Sequence, residues 1–150
     1  MDYKLVPLNY INYKEKELVE KFINSKNTKK YILGINKLGK SIVKHIEVDG
    51  IIDDFTRVQS SRKKDILNIK DIPKDCIILW TSSGSPLEVK NKLDELGYTH
   101  ISYLAFYKYS SLELAPPPFI LDFKDDYKNN ISKYIYLILV FRSKSSIEKY

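Results

Sequence analysis

A short apolar run, Tyr31-Ile32-Leu33, meets Gly34, and a second glycine, Gly39, follows five residues later. Leu38, Ile42 and Ile46 then recur at helical spacing. No other stretch constrains the fold as much, because it reads as strand, tight turn and helix in one piece. Such a turn leaves backbone N–H groups at a helix N-terminus, where the partial positive charge favours an anion such as a phosphate. The spacing matches the Gly-x-Gly-x-x-Gly turn with one departure, since Asn36 holds the middle place. The middle glycine lets the backbone approach a pyrophosphate. An asparagine there brings a side chain into that space. Two readings of the turn therefore stay open. One is phosphate contact; the other is a structural joint in which Gly34 and Gly39 serve backbone shape and helix packing.

The rest of the chain supplies the partners this unit needs. In residues 13–24, Leu18, Val19, Phe22 and Ile23 share one helical face, which predicts an amphipathic helix beside the first strand. Strand one is expected over Lys30–Leu33 and helix one over Leu38–His45. Strand two is expected from Val48 to Phe55 and a short third strand at Ile66–Asn68. Cys76-Ile77-Ile78-Leu79-Trp80 is a continuous apolar run, as a parallel strand covered on both faces requires. Ser85 and Pro86 predict an N-cap and first turn for a helix over Leu87–Leu96, with Val89, Leu93 and Leu96 inward and Gly97 at its end. Ile101–Leu104 reads as a further strand. This alternation predicts an α/β fold, a Rossmann-like parallel sheet of about five strands with helices on both faces. It adds an N-terminal helix and a C-terminal helical tail. Ala115 and the three prolines Pro116, Pro117 and Pro118 form a rigid spacer. We therefore divide the chain into a domain over 1–114 and a spacer with an apolar tail over 115–150. In that tail Ile131, Tyr134, Ile135, Ile138 and Phe141 or Arg142 mark a helix with one strongly apolar face.

Composition narrows the function classes. The net charge of +6 comes from lysines spread along the chain, not from clustered arginine forks. A solvated lysine-rich surface is expected, and no nucleic acid as partner. Cys76 is the sole cysteine, so no disulfide forms within the chain, which fits a reducing cytoplasm. It reads as a small core residue. The longest apolar run, Tyr134–Phe141, is far shorter than a membrane span, and no signal-peptide pattern opens the chain. His45 falls near a helix end, where positive charge is favourable. His100 enters a strand with no acid or nucleophile near it in sequence. No Ser-His-Asp order, metal-ligand spacing or nucleophile elbow is present.

Several segments together resemble a known family. They are Leu33–Lys40, Val48–Phe55, Ile72–Asp75, and Tyr103–Tyr109 with the proline run and Phe119 behind it. The set is similar to the N-terminal Rossmann-like domain that precedes the catalytic domain of some FkbM-type methyltransferases of sugars and surface glycans. The first half also resembles the N-terminal domain of PglD-type sugar acyltransferases, where a glycine-rich turn and an Asp pair help hold a nucleotide-linked sugar. Gly34, Gly39, Asp53 and Asp54 match that pattern. The resemblance implies polysaccharide biosynthesis and an accessory domain whose catalytic part would follow Tyr150.

Asp53 lies nineteen positions after Gly34, near the offset at which an acid meets the ribose hydroxyls of a dinucleotide. Thr81-Ser82-Ser83-Gly84-Ser85 follows the next strand over, at the crevice where open α/β sheets bind ligands. The expected cofactor-binding set is Gly34, Asn36, Gly39, Asp53, Ser82, Ser83 and Gly84, with Lys37 and Lys40 as candidate phosphate neutralisers. The leading expectation is a non-catalytic nucleotide or nucleotide-sugar binding domain of a glycan-modifying, methyltransferase-type enzyme. The first alternative is an interaction domain with a degenerate site, forming a homodimer or docking a catalytic partner through residues 131–142. The weakest is an NAD-dependent oxidoreductase, since no proton donor or substrate domain is evident.

Overall fold

Five consecutive apolar residues must be covered on both sides, and β4 (Cys76–Trp80) is buried at every position. It lies beside β1 (Lys29–Leu33), with Leu33 level with Trp80, and the two form the middle of the sheet. The other strands are β2 (Gly50–Ile52), β3 (Ile66–Leu67) and β5 (Thr99–Ser102). All pairings are parallel, in the order β3-β2-β1-β4-β5. This computed structural model describes residues 10–53, 66–82, 85–117 and 123–136. The Rossmann-like α/β architecture expected from the sequence is present.

Side chains alternate across the strands and divide the core in two. On one face Ile32, Ile77, Leu79 and Ile101 meet Val19 and Phe22 of α1 (Tyr13–Asn24), Ile42 of α2 (Lys37–Ile42) and Phe106 of α4 (Tyr103–Tyr109). The Phe22 and Phe106 rings sit edge to face, 5.6 Å between centroids. On the other face Tyr31, Leu33, Ile78 and Trp80 meet Val89 and Leu93 of α3 (Pro86–Glu95) and Ile69 of a short 3-10 turn, Ile69–Asp71. Helices thus cover both faces.

Several boundaries differ from the sequence reading, each for a local reason. α2 stops at Ile42, and Ile46 reaches the core from a turn whose N–H returns to the Ile42 carbonyl. β2 is short because Asp49 is already committed to Lys30. The Asp49 N–H donates to the Lys30 carbonyl, and its carboxylate accepts from the Lys30 N–H at 2.7 Å. Ile101–Leu104 is not one strand. The Ser102 hydroxyl accepts the Ala105 N–H and caps a helix that starts at Tyr103, burying Tyr103 and Phe106 at helical spacing. α1 packs on α4 and β5 rather than beside the first strand alone. Leu96 lies at the rim of α3, 37% exposed, and Ser85 sits at the N-cap without a side-chain cap bond.

The chain forms two compact units, Asn12–Pro116 and a second made of Met1–Ile11 with Pro117–Tyr150. Within the first, the run after α4 is tied back onto the fold. Tyr103 Oη donates to the Ala115 carbonyl, and His45 Nε2 bonds the Glu113 carbonyl at 2.8 Å. His45 lies just past the end of α2, as expected, with its N–H on the Ile42 carbonyl, and its ring serves this tie. In the second unit α5 (Phe123–Asn129), absent from the sequence reading, is followed by helical residues 131–136. Asp126 joins them, accepting from Asn130 Nδ2 and from Tyr134 Oη at 2.6 Å. Ile131 and Ile135 are 45% and 43% exposed. Ile138, Phe141 and Arg142 lie outside the described residues.

Removing the Phe22 ring leaves a cavity against Phe106 in the core. Phe22→Ala is expected to cost about 3–5 kcal/mol in urea unfolding. Leu87→Ala, at a site 72% exposed, is expected to stay within about 0.5 kcal/mol.

Candidate functional site

The sheet order reverses at β1, so the crevice where such folds bind ligands lies beyond Leu33 and Trp80. Its floor is Gly34 and Thr81. Gly34 has φ +109°, and a Cβ there would lie 2.5 Å from Thr81 Oγ1. Both conformation and space demand glycine. A Cβ on Gly39 would fall 2.5 Å from the Gly34 carbonyl oxygen, so this glycine lets α2 sit close against the turn. Thr81 is buried, and its hydroxyl points inward to the Leu33 carbonyl at 3.1 Å.

Asn36 spans this crevice with three hydrogen bonds. It caps α2 from extended backbone, and its Oδ1 accepts the N–H groups of Leu38 and Gly39, each at 3.1 Å. Its Nδ2 donates to the Thr81 carbonyl at 2.8 Å. The N–H groups that would face a phosphate are already satisfied by the protein's own amide. The same amide bridges the mouth of the crevice from α2 to the end of β4. The sequence places Asn36 at the critical position; its side-chain geometry follows only once β4 is known to lie beside β1.

The other expected site residues are distributed around this bridge. Asp53 is half-buried at the carboxyl end of β2, and Ser82 is half-buried one residue beyond Thr81. Ser83, Gly84 and Asp54 lie outside the described residues. Lys37 and Lys40 are exposed on α2.

Groups with chemical potential elsewhere are occupied by the fold. Burial pushes the Cys76 thiol up to about 11, aided by Asp75, so it stays protonated and unreactive. Ser41 Oγ donates to the Leu38 carbonyl at 2.7 Å and lies 3.1 Å from Tyr103 Oη. Burial raises the Tyr103 hydroxyl above its ordinary range, against the Ser41 bond. Among the described residues no three His, Cys, Asp or Glu side chains are placed to hold a metal, and no helix is long and apolar enough to cross a membrane. An open cleft of about 690 Å³ includes Lys26, Thr28, Lys30, Glu47 and Asp49 in its lining. It lies at the amino ends of β1 and β2, the edge opposite the crevice.

One cluster was missed by the sequence reading. His100 Nε2 lies 2.6 Å from Asp94 Oδ1, Asp94 Oδ2 lies 2.7 Å from Lys90 Nζ, and Trp80 Nε1 donates to His100 Nδ1 at 3.1 Å. The acid stands six residues before the histidine, across the turn from α3 into β5. Only the turn between α3 and β5, with Gly97 at φ +74°, brings the two together, and the residues themselves carry no signal.

No protein-family model, curated protein or solved structure matches the chain.

Asn36→Ala removes the cap and leaves the Thr81 carbonyl without its donor. The expected loss is about 1–2 kcal/mol by chemical denaturation. An unchanged midpoint would show that the bridge does not exist in solution.

Proposed function

We propose that this chain is a non-catalytic interaction module built on a Rossmann-like scaffold, with its nucleotide seat converted into a structural joint. The observation that carries the reading is the Asn36 amide, which takes the Leu38 and Gly39 N–H groups and ties them to Thr81. A pyrophosphate would have to displace that amide and leave a carbonyl unpaired. Three further observations agree. The thiol is buried and protonated. The Thr81, Ser41 and Tyr103 hydroxyls are committed to the chain's own carbonyls. The second unit carries an exposed apolar row at Ile131 and Ile135, the kind of surface that partner contacts use.

A second reading rests on Asp53. It stands at the carboxyl end of β2, whose last carbonyl, Ile52, accepts the Gly34 N–H at 3.0 Å. An acid beside the turn is what a ribose-binding site uses. In that reading the chain is a nucleotide-sugar binding accessory domain of a glycan-modifying methyltransferase, as the resemblance implies.

Thermal unfolding with NAD, UDP-sugars, CDP-sugars and S-adenosylmethionine separates the two. The interaction module is expected to shift by less than about 1 °C with each at millimolar concentration. A shift of several degrees that Asp53→Ala abolishes would overturn it in favour of the second reading.

A further inference from the structure

Trp80 is the sole tryptophan, and an indole nitrogen can only donate. Its bond to His100 Nδ1 therefore requires that nitrogen to be unprotonated. The neutral ring carries its proton on Nε2 and gives it to Asp94 at 2.6 Å. The tautomer is fixed from both sides.

A second proton on the ring can enter only at Nδ1. There it meets the Trp80 N–H, and two donors face each other. The imidazolium keeps and strengthens its pair with Asp94, because that bond becomes fully charge-assisted. The indole loses its acceptor, at a part-buried bond whose Trp80 is 8% exposed, so its surroundings change. Among the described residues the charged groups at ion-pair distance in this cluster are Asp94 and, through it, Lys90, both on α3. Lys90 and then His100 hold the Asp94 carboxyl below the usual carboxylate range, so it remains an anion while an imidazole titrates. β4 contributes the neutral indole. Tyr98, two residues before His100, has its hydroxyl on the Ile69 and Ile72 carbonyls.

The geometry points to a proton-sensitive latch at the end of β4: neutral His100 holds the Trp80 indole, and protonated His100 lets it go while staying with Asp94. The backbone pairing of β4 with β5 does not depend on the ring and stays in place. Release acts on the residue immediately before Thr81, at the edge of the crevice. The latch is independent of whether the crevice binds a nucleotide.

The chain holds only two histidines, so the experiment is clean. Trp80 fluorescence is recorded on the full chain from about pH 8 to pH 5, across the imidazole range, with circular dichroism confirming that the fold persists. The latch gives one sigmoidal change. His45→Gln keeps it, and His100→Gln removes it. Should His100→Gln fail to fold, nuclear magnetic resonance on the unaltered chain replaces it. The Trp80 indole N–H and the His100 ring protons must then titrate with one midpoint. A flat fluorescence profile, a change that survives in His100→Gln, or an indole signal that ignores the His100 titration overturns the proposal.

Discussion

Asn36 joins the first turn of α2 to the chain just beyond β4, across the point where the sheet order reverses. The Oδ1 atom satisfies two N–H groups that a helix start leaves open, and Nδ2 satisfies a carbonyl beyond the last strand residue. Gly34 makes the join possible by turning the chain where no side chain fits, and Gly39 lets α2 approach the turn. A glycine at position 36 would leave the same groups open to an incoming phosphate. The Asn36 side chain makes these groups an internal contact.

The same economy runs through the first unit. Thr81, Ser41, Tyr103 and Tyr98 are buried and carry hydroxyls. Each is spent on a carbonyl of the chain itself. Lys30 and Asp49 fasten the entries of β1 and β2 to each other. Buried polar groups need partners, and these four hydroxyls find theirs in carbonyls of the fold. His100 differs because its two ring nitrogens serve opposite kinds of partner, an indole donor and a carboxylate. Such a ring cannot change protonation without breaking one bond.

The sheet was legible because its signals are strong and local. A five-residue apolar run, β4, can hardly be anything but a covered strand, and a strand-glycine-helix run fixes the first crossover. The α4 boundary was not legible from alternation alone. Ile101-Ser102-Tyr103-Leu104 reads as a strand until the Ser102 hydroxyl is seen to cap Ala105. The second-unit helix α5 escaped because its sequence, Phe123–Asn129, is mostly polar and charged and carries no clear apolar periodicity. The site was half legible. Position 36 stood out as the departure from the glycine pattern. That its amide would reach Thr81, 45 residues on, depends on the pairing of β1 with β4. The Asp94–His100 pair needed the turn between α3 and β5, which brings together residues that local chemistry gave no reason to link.

The most direct test of a self-satisfied crevice is to watch the amide that closes it. Backbone and side-chain N–H resonances are followed by nuclear magnetic resonance while inorganic pyrophosphate, and separately NAD, is titrated into the full chain. The account predicts that the Leu38 and Gly39 amides and the Asn36 side-chain amide stay where they are at millimolar ligand, with slow hydrogen exchange throughout. Saturable movement of those three signals together would show that a phosphate takes the place of Asn36, and would contradict it.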